Sequence, residues 1–419
     1  MERYDLVYRL YDEFDTKTLR EYQEFVDVFP AVDSRVALEH WQRASEELDD
    51  RKGEIRSSFA AGETLAEVAA RATRDQAFTA LDLQAKYGRS VNVLVLDVDE
   101  TLRSAGRTDN EIPRETLHIL TEFHESGVPI VICTGQTLEN VKGFAIQGLG
   151  SEIVHSGELS IVYEAGTGVF TPGHGAATKQ LLYEDLDEEI RDVFDDVRGR
   201  VLPEAPEDLR RNCHLQGNEF NVTVKPNYET GSARSREIID EALVYLLELL
   251  AEAVARHADA AGADASDERL AELTRAFYAD RDPEIRGVLE QEGAYPDADG
   301  DAIPDGLSAV LERIDVAYYE ADAAEIGSLE LNKVVGVERA LDVLGVEDPF
   351  ALVMGDSKSD LRVMEWVSRT GTGIAAAPDH ASEDTLEHVL ETDELVFDRG
   401  KSVDVLQTVY AMNRLARLG

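Results

Sequence analysis

Two aspartates two residues apart, Asp97 and Asp99, are the first side chains in this sequence whose spacing suggests chemistry. They follow a largely apolar run at 91–96, which is typical of a strand buried on both faces of a parallel sheet. Open α/β sheets bind ligands beyond the carboxyl ends of their strands, so both carboxylates would lie in such a crevice. Burying two neighbouring carboxylates is costly without a positive partner, and Mg²⁺ is the natural partner for oxygen ligands. An acidic cap between a strand and a helix is the alternative interpretation.

Five further residues follow predicted strands or begin a predicted helix, and they are Thr134, Gly135, Lys333, Asp356 and Asp360. Because the carboxyl ends of parallel strands meet at one edge of a sheet, we expect these residues to approach the two aspartates. The lysine is informative because arginine supplies most of the positive charge of this chain. The alternatives are a helix cap for Thr134 and an exposed helix-terminal position for Lys333.

The order and context of these residues resemble the haloacid dehalogenase superfamily of phosphotransferases, whose nucleophile is an aspartate. The motifs are Asp97-x-Asp99-x-Thr101, then Thr134, then Lys333, then Gly355-Asp356-x-x-x-Asp360. The resemblance covers 91–155 and about 330–397. The long insertion before the lysine is similar to that of members with a large α/β cap, such as the Cof-like and sugar-phosphate phosphatases.

The resemblance implies a role for each residue near the strand ends. Asp97 would attack phosphorus, and Asp99 would protonate the leaving alkoxide and then activate water. Thr134 and nearby backbone amides, including that of Gly135, would bind the phosphoryl oxygens. Lys333 would place a positive charge beside the nucleophile and the phosphate.

The same resemblance implies a bound Mg²⁺ ion. Its ligands would be Asp97, the backbone carbonyl of Asp99, and Asp356, with Asp360 supporting the ion through water. The predicted function is therefore a Mg²⁺-dependent phosphatase that hydrolyses a small phosphomonoester, such as a sugar phosphate or phosphoglycolate, through an aspartyl-phosphate. The alternatives are a phosphomutase of the same fold and a non-catalytic regulatory or metal-binding protein.

The pattern of apolar residues predicts an α/β fold with three parts. We expect an N-terminal helical region at 1–89, a doubly wound parallel-sheet core at 90–156 and 328–419, and an inserted α/β cap at 157–327. Within the core, Glu152–His155 is predicted to be the third strand. The helical region shows no chemical motif, and we expect it to pack on its own domain. A dimerisation arm that forms homo-oligomers and a partner-binding region are the alternatives.

The predicted cap contains polar residues that could contact the leaving group, namely His214, Asn218, Glu219, Asn221 and Lys225. The alternative is ordinary polarity on the solvated face of a strand. A second acidic stretch, Asp297–Asp305, alternates carboxylates like a calcium loop but lacks the glycine and glutamate that such loops need. A solvated turn is therefore favoured there.

The residue at position 100 departs from the pattern of the resembled family. Position 100 is Glu, whereas many phosphatases of that family have Gly after the second aspartate. An acidic residue at this place is similar to phosphatases that act on phosphorylated protein tails. Because those enzymes usually lack a large cap, a protein phosphatase is only a minor alternative.

The composition restricts the partners of this protein. The formal net charge of -44 over 419 residues is spread along the chain, which suggests a protein that works in high salt. Such a charge disfavours nucleic acid and anionic membranes as partners. No apolar leader or membrane-spanning segment is evident, so we expect a cytoplasmic protein whose partner is a small phosphorylated metabolite.

Overall fold

The computed structural model of this protein describes residues 2–30, 33–104, 111–228, 230–258, 266–297 and 303–418. The strands in this part of the chain are β1 (Val93–Leu96), β2 (Ile130–Cys133), β3 (Leu159–Tyr163), β4 (Gly168–Phe170), β5 (Lys179–Leu181), β6 (Cys213–Leu215), β7 (Val222–Pro226), β8 (Ile314–Tyr319), β9 (Ala323–Ser328), β10 (Ala351–Met354), β11 (Gly373–Pro378) and β12 (Leu395–Phe397). The α-helices are α1 (Glu2–Glu13), α2 (Thr16–Asp27), α3 (Arg35–Ser58), α4 (Gly62–Arg71), α5 (Arg74–Tyr87), α6 (Arg114–Glu125), α7 (Leu138–Val154), α8 (Glu188–Arg200), α9 (Glu207–Asn212), α10 (Ser232–His257), α11 (Asp267–Arg281), α12 (Pro283–Gln291), α13 (Asp305–Leu311), α14 (Lys333–Leu344), α15 (Lys358–Thr370), α16 (Glu383–Glu391) and α17 (Ser402–Leu415).

A large sheet with the strand order β12-β11-β10-β1-β2-β3-β4-β5 organises the core. Its strands from β12 to β3 pair in parallel, and β4 and β5 pair antiparallel to their neighbours. The chain runs from β1 to β2 and β3 on one side and returns to β10, β11 and β12 on the other, with helices between the strands. The predicted α/β fold with a doubly wound parallel sheet is confirmed.

The strands of the large sheet separate two apolar cores, because successive side chains point to opposite faces. Leu94 and Leu96 pack into the core that contains α6, α7 and α17. Val93 and Val95 pack into the other core with α14 and α15, and Cys133 lies there as a buried free cysteine. Because both faces of the sheet are covered, a polar ligand would bind at the carboxyl ends of the strands.

The prediction of a strand at Glu152–His155 is wrong, because these residues form the end of α7. Ile153 and Val154 are buried, but a short apolar pair fits the last turn of a helix as well as a strand. The chain then turns at Gly157, whose φ is +86°, and the third strand of the core is β3. The cap at 157–327 stays a prediction, although β3, β4 and β5 from its first residues pair within the large sheet.

A second, antiparallel sheet with the order β6-β7-β9-β8 lies in the chain between β5 and α14. Helices α8 and α10 pack against this smaller sheet. In its register Thr223 of β7 lies opposite Glu325 of β9, so these two side chains share one face. That face also carries Asp315, which is displaced from Ala317, the partner of Glu325 on β8, by two residues. The face is polar and, as shown below, is directed towards the strand ends of the core.

Helices α1 to α5 form the helical region predicted at the N-terminus. They pack on α6 and α17, so the region continues one of the two cores of the large sheet. A buried ion-pair group joins them, in which Arg71 contacts Asp27 at 2.5 Å and Glu122 of α6 at 2.8 Å. None of the helices in the described residues has an apolar stretch that would span a bilayer.

Candidate active site

Three carboxylates and one lysine converge beyond the carboxyl ends of β1 and β10. Atoms of Asp97, Asp356 and Asp360 lie within 4.8 Å of one another. The ammonium Nζ of Lys333 lies 2.9 Å from Asp97 Oδ1 and 2.6 Å from Asp360 Oδ1. The structure therefore brings together four of the predicted site residues, which come from distant parts of the sequence.

Burial and mutual repulsion govern the ionisation of this cluster. Burial, together with the charges of Asp360 and Asp356, raises the pKa of the Asp97 carboxyl, although Lys333 opposes the shift. Burial also raises the pKa of Asp356, to about 6. The pKa of Lys333 is raised by Asp360 and Asp97 even though burial acts against its charge. The cluster thus contains three carboxylates and one buried ammonium group. A bound cation would balance this excess of negative charge.

Two close contacts fix the lysine and the acidic turn. Gly166 has a φ of +110°, and a Cβ there would lie 2.1 Å from the backbone oxygen of Asn332, so only glycine lets this loop reach the start of α14. Asn332 caps α14 with its Oδ1, which places Lys333 at the first helical position. Gly355 likewise allows the Asp360 side chain to approach, since a Cβ at Gly355 would lie 2.3 Å from Asp360 Cβ.

The donor set suits a hard divalent cation. The cluster offers buried carboxylate oxygens and an excess of negative charge, which is the chemistry that Mg²⁺ and similar ions require. Asp360 is already occupied, because Oδ1 contacts Lys333 and Oδ2 accepts from Ser357 N and Oγ. Asp97 and Asp356 are therefore the side chains that would hold the ion, with Asp360 anchoring the lysine.

Thr134 and Gly135 lie in the turn that follows β2. Thr134 is buried, and its Oγ1 accepts a hydrogen bond from Gln136 N at 3.2 Å. Helix α7 has Thr137 rather than Thr134 at its N-cap, so the alternative of a helix cap at Thr134 is not observed. Gly135 is exposed, and a Cβ there would meet no atom within 4 Å. The turn is thus open to a ligand at Gly135.

Asp99 lies outside the carboxylate cluster. Its Oδ1 accepts from Arg103 Nε at 2.9 Å and Nη2 at 2.7 Å, and its Oδ2 accepts from Gln136 Nε2. The sequence analysis missed both partners, although Arg103 stands four residues after Asp99 and Gln136 directly follows the threonine turn. A second cavity of about 470 Å³ opens here, and Asp99, Arg103 and Gln136 line it with Lys225.

Glu100 adopts a backbone conformation that favours glycine, with a φ of +55°. The carboxylate of Glu100 accepts from Arg399, at 3.1 Å from Nε, and lies 3.2 Å from His380 Nε2. These contacts tie the turn after β1 to the loops after β11 and β12.

A cavity with a volume of about 530 Å³ lies beside the cluster, between the core and the smaller sheet. Lys333 and Asp356 line it from the core, and Asn221, Asp315 and Glu325 line it from the smaller sheet. We call it the main cavity. Two ion pairs cross its rim, Lys358–Glu284 at 3.5 Å and Arg362–Asp315 at 3.4 Å.

Of the five polar residues predicted to contact the leaving group, only Asn221 lines the main cavity and only Lys225 lines the second cavity. His214 is exposed on β6. Asn218 is buried and donates to Thr223 Oγ1 at 2.6 Å. Glu219 accepts from Tyr163 Oη at 3.0 Å and from Lys179 Nζ at 2.5 Å. The acidic stretch Asp297–Asp305 lies mostly outside the described residues.

A buried glutamate that sequence analysis missed joins the phosphate-side turn to the segment that leads into β7. Glu164 is 1% exposed, and its carboxylate accepts from Glu219 N at 2.7 Å and Phe220 N at 3.2 Å. Its own backbone N–H donates to Gln136 O at 2.9 Å. Arg198 holds the other side of the segment through the carbonyls of 218, 220 and 221. Nothing distinguishes Glu164 in a sequence that contains 85 acidic residues.

Replacing Glu164 with alanine is expected to destabilise the protein by about 3 kcal/mol, because the buried N–H of Phe220 and the partly buried N–H of Glu219 lose their acceptor. Hydrogen exchange at the amides of Glu219 and Phe220 should accelerate, and the thermal midpoint should fall. The control is Glu184→Ala, which removes an exposed glutamate. Unchanged exchange at these two amides in Glu164→Ala would contradict the assignment.

Residues 94–170 match the family model of haloacid dehalogenase-like hydrolases. A comparison with curated proteins finds no significant match. Among solved structures, a trehalose-6-phosphate phosphatase from Aspergillus fumigatus is 13% identical with a TM-score of 0.43, and the match covers 80% of this chain and 97% of that chain. A haloacid dehalogenase-like hydrolase from Bacteroides thetaiotaomicron is 12% identical with a TM-score of 0.43, over 77% of this chain and 99% of that chain.

The family match contains both aspartates after β1 and the threonine turn after β2. The fold then places the lysine and the second acidic motif, which lie outside the matched segment, against Asp97. The sequence analysis predicted the haloacid dehalogenase family from the order of these residues along the chain. That prediction is confirmed. Residues 94–170 are thus those of a haloacid dehalogenase-like hydrolase.

Proposed function

We propose that this hydrolase is a Mg²⁺-dependent phosphatase that acts on a small phosphomonoester through an aspartyl-phosphate on Asp97. The observation that supports it most directly is the buried Asp97 carboxylate, which contacts Lys333 in a cluster beside a cavity of about 530 Å³. A carboxylate that is desolvated and held by one oxygen keeps its other oxygen available as a nucleophile. No hydrogen bond to Asp97 Oδ2 occurs among the described residues.

The residues around Asp97 would each have a separate role in phosphoryl transfer. The ion, when bound by Asp97 and Asp356, would neutralise the phosphate dianion that otherwise repels a nucleophile. Lys333 adds a fixed positive charge, and Thr134 with the amide of Gly135 would donate to phosphoryl oxygens. Asp360 keeps Lys333 in place through the 2.6 Å contact.

Asp99 would give its proton to the leaving oxygen and then take one from the attacking water. Arg103 and Gln136 orient its carboxylate towards the second cavity. For Asp99 to reach the ester oxygen, the contact with Gln136 has to open, since both carboxylate oxygens are occupied. Closure of the smaller sheet over the core would exclude bulk water from the site.

The experiment is phosphate release from a panel of sugar phosphates, phosphoglycolate and p-nitrophenyl phosphate in molar KCl, with MgCl₂ or with EDTA. Turnover that requires Mg²⁺ and is absent from Asp97→Asn purified in parallel would support the proposal. Formation of an isomeric phosphate ester without release of phosphate would instead support the phosphomutase. A folded protein that turns over no ester would support the non-catalytic alternative.

We expect the stabilisation by Mg²⁺ to grow between pH 5 and pH 7, because the pKa of Asp356 is about 6 and protons compete with the ion below it. Without metal, the stability of the folded protein changes with pH in the opposite direction. The folded state binds more protons than the unfolded state between pH 3.8 and 6, so stability falls as the pH rises through that window, by about 2 kcal/mol for this group. Thermal midpoints with MgCl₂ or EDTA check both effects, and Asp356→Asn should lose both.

The proposed activity and the net charge also support a proposal about where the protein works and what it binds. We propose a cytoplasmic enzyme of a high-salt cell, with a small phosphorylated metabolite as its partner and neither nucleic acid nor a membrane. The N-terminal helices are the surface on which we would look for homo-oligomers, by size measurement in high salt.

A further inference from the structure

Two ion pairs connect helix α15 of the core to elements around the smaller sheet. Lys358 Nζ lies 3.5 Å from Glu284 Oε2 of α12. Arg362 Nη2 lies 3.4 Å from Asp315 Oδ2 of β8. We call these two contacts the rim pairs, because all four residues line the main cavity. Lys358 and Arg362 are four residues apart, so they project from the same face of α15.

The rim pairs are a direct polar connection between two parts of the protein. In the part of the chain that the structure describes, no other hydrogen bond or ion pair joins the core segment 333–418 to the segment 186–327, which contains most of the smaller sheet. Breaking the rim pairs would therefore leave the cavity rim without a polar contact between these two segments.

The surfaces that the rim pairs join are both acidic. On the side of the smaller sheet, five acidic residues line the main cavity, and they are Asp282, Glu284, Asp315, Glu320 and Glu325. On the core side lies the carboxylate cluster, in which Lys333 is already paired with Asp97 and Asp360. Like charges on facing surfaces oppose the approach of those surfaces. Lys358 and Arg362 act against this repulsion, because they lie on the core and contact carboxylates of the other side.

The core end of the rim pairs is held to the carboxylate cluster. Ser357 directly precedes α15, and its N and Oγ both donate to Asp360 Oδ2. The other oxygen of Asp360 contacts Lys333 Nζ at 2.6 Å. Lys358 is thus the first residue of a helix whose N-terminal turn is bound to Lys333. The position of the rim pairs is thereby coupled to the position of the cluster.

The rim pairs are exposed, and exposed ion pairs add little to the stability of a folded chain. Their four side chains are between 40% and 61% accessible. A modest interaction free energy nevertheless changes the populations of two arrangements several-fold when the arrangements are close in free energy. The rim pairs can therefore affect how closely the smaller sheet approaches the core without being needed for folding.

We propose that Lys358 and Arg362 are positioning residues, which hold the smaller sheet closed over the carboxylate cluster through the rim pairs. The proposal rests on the phosphatase function proposed above and adds to it the contacts that favour the closed arrangement. A substrate bound in the main cavity would be retained by closure, so the rim pairs should affect KM rather than the chemical step.

The test measures KM and kcat for p-nitrophenyl phosphate with MgCl₂ in 0.5 M KCl, for Lys358→Glu, Glu284→Lys and the variant that carries both changes. Each single change places two like charges at the rim and should raise KM by about 5-fold. The combined variant restores an attractive pair and should return KM to within about 2-fold of the wild type. Lys17→Glu is the control, because it makes the same change of charge at a side chain of α2 that is 82% accessible.

Glu284→Lys separates closure from a direct attraction between the rim cations and the substrate. If Lys358 and Arg362 acted on the phosphate dianion itself, the added positive charge of Glu284→Lys would lower KM. The proposal predicts the opposite, so a KM at or below the wild-type value would overturn it. Raising KCl to 3 M should reduce the effect of each single change, since salt screens the repulsion. Arg362→Asp, Asp315→Arg and their combination repeat the test at the second rim pair if Glu284→Lys does not fold.

Hydrogen exchange measures closure without turnover. The amides of 316–319 in β8 line the main cavity and should exchange faster in Lys358→Glu and in Glu284→Lys than in the wild type. In the combined variant they should exchange at the wild-type rate. Folded protein without Mg²⁺-dependent turnover would overturn the proposed function, while the exchange rates would still test the rim pairs. Turnover together with unchanged exchange in both single variants would overturn only the role of the rim pairs.

Discussion

Replacing Asp97 with asparagine is expected to abolish phosphate release, by at least about 10³-fold in kcat, while making the metal-free protein more stable. The loss of activity follows because an amide cannot attack phosphorus, and losses of that size are typical when a nucleophile is removed. Asparagine keeps an oxygen that can accept from Lys333 at the position of Asp97 Oδ1. The positioning of the lysine should therefore survive the change.

The gain in stability follows from the raised pKa of Asp97. A carboxyl whose pKa is raised by folding destabilises the folded state once the pH exceeds its unfolded value, and the effect grows as the pH rises. Asp97→Asn removes this destabilisation. The free energy of unfolding of the variant should therefore exceed that of the wild type by an amount that increases from pH 5 to pH 8. Urea unfolding in EDTA measures it, with the exposed Asp384→Asn as the control. Equal stability of Asp97→Asn and wild type at pH 8 would contradict this account.

Replacing Lys333 with methionine should destabilise the protein by about 3 kcal/mol at neutral pH and reduce turnover by about 10³-fold. Methionine keeps the apolar stem of the side chain but removes the cation that contacts both Asp97 and Asp360. Breaking a buried ion pair in this way leaves carboxylates without a partner, which is strongly destabilising. Catalysis loses the positive charge beside the nucleophile.

The pH dependence distinguishes this effect from a simple packing defect. Without the lysine the carboxyls hold their protons to higher pH, so the deficit in stability should shrink as the pH is lowered towards 5. Lys358→Met, which removes an exposed lysine 61% accessible in its side chain, should change stability little. A deficit that is the same at pH 5 and pH 8 would indicate lost packing instead.

The core of this fold and most of the catalytic cluster could be predicted from the sequence because each strand there is a short apolar run that ends in a polar residue. The buried strands β1, β2 and β10 contain four residues each, and Asp97, Thr134 and Asp356 come at or shortly after their ends. Parallel pairing then determines that these ends meet. The strand predicted at Glu152–His155 failed because two apolar residues carry no periodicity of their own.

The cavity-lining residues of the smaller sheet were harder to predict, because strand register determines which side chains face the cavity. Asn221 and Glu219 are two residues apart and equally polar, yet Asn221 lines the main cavity and Glu219 contacts Tyr163 and Lys179. Glu325 reaches the same cavity because β9 pairs with β7, a pairing that joins residues about a hundred positions apart. No local pattern in an acidic chain marks such a residue.

The packing of the N-terminal helices on α17 has a consequence for how the chain folds during synthesis. Gln76 of α5 donates to Gln407 of α17, and the backbone of Val91 exchanges two hydrogen bonds with Asn413. The partners are separated by 331 and 322 residues, so the ribosome needs on the order of 15–60 s to deliver the second after the first. During that interval the face of α4 and α5 that binds α17 stays uncovered. Chaperone binding to nascent chains should accordingly concentrate on α4 and α5 and end when α17 leaves the exit tunnel.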